Sequence, residues 1–168
     1  MDNEIKTYFD LIEKFESMDE DELRDYLFSL RENPNSCNDN LIELGIIYLL
    51  LGYYDTAYKY LKDSYKKDFD SSISYFLSAI ALLGDKNIEE LDSVIAQKAE
   101  GLFMGAILIN NNMVYNYFLY HFKNNYYKNK IYMTDSSYKD LEKKVLDYNY
   151  TNQEKKIINI LLKKEIIK

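Results

Sequence analysis

Five times along this chain a polar residue able to cap a helix is followed three positions later by an acid that can reach back to the cap. The pairs are Ser17 with Glu20, Asn40 with Glu43, Asn87 with Glu90, Ser137 with Asp140 and Thr151 with Glu154. Each can satisfy two of the N–H groups that a helix start leaves without partners. Between them apolar residues return at helical spacing, with Ile5, Phe9, Ile12 and Phe15 on one stripe and Leu23, Leu27 and Leu30 on the next. Stops fall at Pro34, Gly52, Gly84 and the Asn110-Asn111-Asn112 run. These signals predict helices over 4–16, 19–31, 40–51, 54–67, 72–83, 88–100, 102–110, 113–126, 138–148 and 152–167. One Pro and five Gly in 168 residues leave little material for the tight turns of a sandwich or barrel. The expected fold class is therefore all-α, with about ten helices in five antiparallel pairs.

Charge is distributed unevenly. Residues 1–100 hold 22 acids against 10 bases, a net −12, whereas residues 101–168 hold 6 against 11, a net +5. An acidic body repels phosphate backbones, so nucleic acid is a disfavoured partner and basic partners are more natural. The longest apolar stretch, 41–54, has 14 residues and includes Glu43, short of the roughly 20 that a membrane helix needs. No basic, apolar, small-residue leader opens the chain, and Cys37 is the single cysteine, too few for an internal disulfide. A cytoplasmic, membrane-free protein is expected. Tyr reaches 18 while Arg occurs only at Arg24 and Arg31, the bias of AT-rich coding, so Tyr/Lys-rich stretches carry less weight here than elsewhere.

Paired helices invite a search for a period near 34 residues, because one hairpin cannot bury its apolar face alone. In Leu41-x-x-Leu44-Gly45-x-x-Tyr48, followed by Gly52, Tyr54 and Ala57-x-x-x-Leu61, order and spacing resemble a tetratricopeptide repeat. Leu41 stands where that family has Trp, and Phe69 where it has a closing Pro. Gly45 and Ala57 are the small positions that allow the two helices to approach, and Leu44, Tyr48 and Leu61 fill the space around the crossing. Moving on by 34, Tyr75-x-x-Ser78-Ala79-x-x-Leu82 and Leu91-x-x-x-Ile95 form a degenerate second copy. The domain organisation follows as a single unit: a degenerate hairpin at 1–37, repeats at 38–71 and 72–105, a hairpin and loop at 106–136, and capping helices at 137–168. The resemblance implies a right-handed superhelix, an α-solenoid, whose first helices line a concave groove that grips protein segments.

The positions left for the groove after packing are Ile42, Ile46 and Leu49, then Phe76, Ile80 and Leu83. They are apolar, and the Lys and Asn residues of a carboxylate clamp are absent from them. Two coverings are open. Either the C-terminal helices, with Ile157, Ile158, Leu161, Leu162 and Ile166, fold back over the groove, or a segment of another protein or a second copy of the chain fills it. The expected function is a non-enzymatic adaptor binding a protein or peptide, with Tyr54, Tyr58 and Tyr65 as adjoining aromatics. The alternative is an acidic inhibitor or immunity-type protein occupying a basic cleft of a toxin or nucleic-acid enzyme.

Other constellations offer less. His121 is the lone histidine, with no second base in its motif Tyr117-x-x-x-His121, and Cys37 has no neighbouring cation to lower its pKa. Asp19, Glu20, Asp21, Glu22 and Asp25 suit the first turn of a helix, where the dipole favours acids without a metal. No phosphate-binding glycine loop occurs, and no cofactor or metal is expected. Gly101-x-x-x-Gly105 reads as a device for close helix packing. The stretch 123–139, with Tyr126, Tyr127, Lys128, Lys130 and Tyr132, interleaves aromatics and cations as single-strand binders do, but without Arg.

Overall fold

In the computed structural model, which describes residues 3–32, 38–127 and 136–163, the described residues form nine α-helices and no strand. The helices are α1 (Asn3–Glu16), α2 (Glu20–Arg31), α3 (Asn38–Leu51), α4 (Tyr54–Lys67), α5 (Ser72–Leu83), α6 (Ser93–Ile109), α7 (Met113–Tyr126), α8 (Ser136–Asp147) and α9 (Asn152–Leu162). Cys37, Pro34, Lys128, Lys130, Tyr132 and Ile166 lie outside the described residues.

The capping signals are realised unevenly. Thr151 and Glu154 form the complete box at the start of α9: the Thr151 hydroxyl accepts from the Glu154 N–H at 3.1 Å, and the Glu154 carboxylate from the Thr151 N–H at 2.8 Å. At α2 the cap is Asp19 instead of Ser17, accepting from the Glu22 N–H at 2.8 Å. Asn40 and Ser137 fall inside α3 and α8. Asn87 caps only a 3₁₀ turn, Ile88–Glu90.

That turn marks the main departure from the ten expected helices. The segments 88–100 and 102–110 become the 3₁₀ turn followed by one helix, α6, which starts at the Asp92 cap and runs through Gly101. A mid-helix Gly costs about 1 kcal/mol, but Ala96, Ala99, Leu102, Phe103 and Ala106 bury on the same helix and outweigh it. The close-packing expectation for Gly101 and Gly105 is also corrected. A Cβ added at Gly101 meets nothing within 4 Å, and one at Gly105 meets only the Tyr75 ring at 3.9 Å. The 34-residue frame breaks here too: Leu91 precedes α6, and the buried small residues are Ala96 and Ala99.

Consecutive helices pack on one another, most closely α3 on α4, α4 on α5 and α5 on α6, then α6 on α7 and α7 on α8. This is compatible with stacked hairpins. In addition α9 returns to α1, where Gln153 donates to Asp10 at 2.6 Å and Glu13 at 3.4 Å, and it also reaches α7. One core runs through these layers. Near its centre Phe76 stacks on Tyr115 at 4.5 Å and meets Phe118 edge-on at 5.2 Å and Phe103 at 6.1 Å. The buried serine hydroxyls are paired in a chain: Ser74 bridges Ser64 and Ser71 at 2.7 Å each, and Ser72 reaches Tyr115 at 3.1 Å.

Candidate functional site

The repeat-signature residues come together as the α3–α4 hairpin. Leu41, Leu44, Gly45, Ala57 and Leu61 are buried, Tyr48 and Tyr54 are half-buried, and Gly52 ends α3 with φ +86°. Tyr48 stacks on Tyr60 at 5.5 Å with the rings 5° apart. Tyr58 carries Lys98 at 5.3 Å from its ring, and Tyr65 stacks on Tyr75 at 4.6 Å.

The six groove positions are all in the core. Ile42, Ile46 and Phe76 have no measurable exposure and Leu49 has 3%, while Ile80 and Leu83 retain 8% and 9%. Ile157, Ile158 and Leu161 of α9 join the same core. The small exposure of Ile80 and Leu83 has a specific cause, because both line a cavity of about 360 Å³.

The cavity lies where four helices meet. Ile80 and Leu83 come from the end of α5, Tyr54 from the start of α4, Phe118, His121 and Phe122 from α7, and Leu161 and Leu162 from the end of α9, which Lys163 follows. The turn after α5 adds Gly84, Asp85, Lys86 and Ile88. Gly84 holds φ +53°, and a Cβ there would stand 3.1 Å from two atoms of the Tyr54 ring, so this residue both turns the chain and admits Tyr54 to the wall. Lys163 ends α9 in the left-handed region, φ 59° and ψ 29°, the one described non-glycine residue with positive φ. Its ammonium sits 4.1 Å from the centre of the Tyr54 ring, a cation–π contact. Burial pushes the Lys163 pKa down, partly opposed by the carboxylate of Glu16. Lys86 donates to the Leu82 carbonyl at 3.1 Å, and the His121 ring stacks on Tyr117 at 6.4 Å.

Such a cavity is at the small end of ligand-sized sites. Aliphatic and aromatic walls fit an apolar side chain, and Lys163, Lys86, Asp85 and His121 provide the ionisable groups of the lining. Sequence reasoning named Tyr54, Ile80 and Leu83 but not Phe118, Phe122 or Lys163, which no local spacing connects to them.

The described part of the 123–139 stretch is engaged within the chain. Tyr127 donates to Glu100 at 3.0 Å, Lys123 pairs with Glu100 at 3.4 Å, and Tyr126 stacks on Phe122. Among the described residues no helix is long and apolar enough to cross a membrane, and no group of three or more His, Cys, Asp or Glu side chains is placed to hold a metal. Compared with known protein families, curated proteins and solved structures, the chain finds no match in any of the three.

Proposed function

We propose that this protein is a non-enzymatic interaction module of tetratricopeptide-like geometry, a right-handed stack of helical hairpins that receives an apolar side chain of a protein partner in the cavity between α5, α7 and α9. The observation that carries the reading is the position of Ile80 and Leu83. Of the six apolar positions that remain once the repeat packing is assigned, these two line an opening, whereas Ile42, Ile46, Leu49 and Phe76 have almost no surface to offer. Anchoring one or two apolar side chains in a desolvated pocket is how small interfaces gain most of their binding energy.

The test uses the lip of the cavity, where Ile88 and Leu162 are half-buried. Ile88→Asp and Leu162→Asp keep the helical circular dichroism and lose the partner recovered by wild-type protein in affinity purification from the native host. A partner retained by folded lip variants sinks the reading. The second reading, an acidic inhibitor, is favoured by Asp19, Glu20, Asp21, Glu22 and Asp25, all exposed at the start of α2. Salt separates the two: affinity that drops steeply with ionic strength selects the inhibitor, and a salt-insensitive complex selects the apolar anchor.

A further inference from the structure

Helix α9 lies on a layer formed by the first helices of the hairpins. α1 packs on α3 and α3 on α5, and Phe76 of α5 stacks on Tyr115 and meets Phe118 edge-on in α7. Across this layer α9 runs from α1, where Gln153 meets Asp10 and Glu13, to the cavity, which Leu161 and Leu162 line together with the ends of α5 and α7. Its buried apolar residues, Ile157, Ile158 and Leu161, share one helical face. The polar groups at both ends of α9 are satisfied from its own segment. Thr151 and Glu154 cap each other, Glu154 also accepts from the Tyr148 hydroxyl at 3.2 Å, and the Lys163 N–H returns to the Ile160 carbonyl at 3.2 Å. Among the described residues no backbone hydrogen bond joins α9 to α1 or α7. The connection before it is pinned separately, by Tyr150, whose hydroxyl donates to the Val145 carbonyl at 3.1 Å and whose ring meets Tyr117 edge-on at 5.9 Å.

We propose that α9 is an autoinhibitory helix, holding a seat that an amphipathic helix of the protein partner takes over. α9 itself states what the seat accepts: apolar residues at i, i+1 and i+4, as in Ile157, Ile158 and Leu161. It also shows how a partner can bind better than the helix it replaces. At the position four residues before Ile157, α9 offers only the uncharged amide of Gln153 to two carboxylates, Asp10 at 2.6 Å and Glu13 at 3.4 Å. Lys6 pairs with Asp10 on α1 itself at 3.1 Å, and a Lys or Arg of the incoming helix replaces the amide by a charge-assisted bond. The polar ties that α9 would release are weak, since Asp10 and Lys163 are exposed and Gln153 and Tyr54 only half-buried. The proposal rests on the cavity reading above: the cavity at the end of α9 is where the incoming apolar side chain first takes hold, and α9 then yields as a local opening of the fold.

The probe is a fluorescein-labelled peptide of residues 148–163, titrated with the full chain and read by anisotropy. The wild-type chain binds it between micromolar and millimolar concentration, a Gln153→Lys peptide binds about ten-fold tighter, and an Ile158→Asp peptide does not bind. In a Cys37→Ser background, a chain carrying Asp10→Cys and Gln153→Cys binds the parent peptide until dibromobimane bridges the two thiols, and the bridge then weakens binding about ten-fold or more. Circular dichroism of bridged and unbridged protein confirms that both are folded. A wild-type chain that ignores the peptide at millimolar concentration overturns the inference. So does a bridge without effect, an Ile158→Asp peptide that still binds, or a Gln153→Lys peptide that binds no better. Bridged protein that recovers the native partner as well as wild type does so too, yet leaves the cavity reading standing, because the cavity is open with α9 in place. Lip variants that keep the partner while the peptide still exchanges overturn the cavity reading instead.

Discussion

A Cβ built on Gly45 would stand 2.5 Å from Cγ and 2.6 Å from Cδ2 of Leu61. Leu61 is fully buried and has nowhere to swing, so the two helices of the α3–α4 hairpin touch through a glycine and a leucine. Gly45→Ala is expected to destabilise by about 1–3 kcal/mol through overpacking, and Leu61→Ala by about 2–5 kcal/mol through the space it leaves. In the double variant the new methyl occupies part of that space, so urea denaturation finds a loss smaller than the sum. A strictly additive pair means the contact does not govern the crossing.

The fate of Ile46→Asp and Phe76→Asp follows from their burial. Each places a carboxylate at a position without solvent exposure among apolar side chains, a penalty of several kcal/mol against a typical total stability of about 5–15 kcal/mol. Both variants are expected to lose helical circular dichroism at 222 nm. A folded Ile46→Asp protein contradicts the buried assignment.

Thr151→Ala removes one half of the capping box on α9 and is expected to cost about 1 kcal/mol, whereas Thr151→Ser is nearly neutral. The local readout is faster amide exchange over the first turn of α9. Because α9 docks on α1 through Gln153 and Asp10, protection in α1 falls with it. Unchanged exchange in α1 would show that the two helices open independently.

Alkaline pH acts through the tyrosines. Burial pushes the Tyr65 hydroxyl up to about 12, and it also raises Tyr26, Tyr117, Tyr120, Tyr138, Tyr148 and Tyr150 above the ordinary 10. A hydroxyl raised in the folded state keeps its proton after the unfolded chain has lost it, so the folded state binds more protons in that interval. The tyrosine contribution is fully present below pH 10 and is lost as pH climbs toward 12. Thermal midpoints measured from neutral pH upward should fall steeply once pH 10 is passed, and less steeply in Tyr65→Phe.

Two glycines separate backbone need from mere presence. Gly84→Ala combines positive φ with a 3.1 Å approach to Tyr54 and is expected to destabilise by more than about 1 kcal/mol. Gly101→Ala, in an exposed helix interior with open space around it, is expected to stabilise the protein by about 0.5–1 kcal/mol. Opposite signs in thermal melts check the pair together.

Much of the fold is legible because it is local. Helices α4, α5 and α7 begin and end at the expected residues, and α1, α2 and α3 within two of them, since caps, stops and apolar spacing act over a few residues. The contact between Gly45 and Leu61 was legible for a related reason: sixteen residues apart in a hairpin, they belong to one repeat pattern. Failure came at α6, where the penalty of Gly101 is local and the burial that overrides it is not. Ser17 lost its capping role to Asp19, a neighbour equally able to take it, while Asn40 falls inside α3.

What the sequence by itself determined is an all-helical chain, the hairpin at 38–67 and an acidic N-terminal half, because propensity, periodicity and charge need no knowledge of neighbours. Only the tertiary structure decided that the apolar first-helix positions are core, and that a cavity gathers Tyr54 of α4, His121 of α7 and Lys163, which follows α9. Those residues span 109 positions of sequence, and what joins them is the return of α9 onto α1 and α7. No short-range pattern encodes that return, which depends on burying Ile157, Ile158 and Leu161 against helices more than thirty residues away.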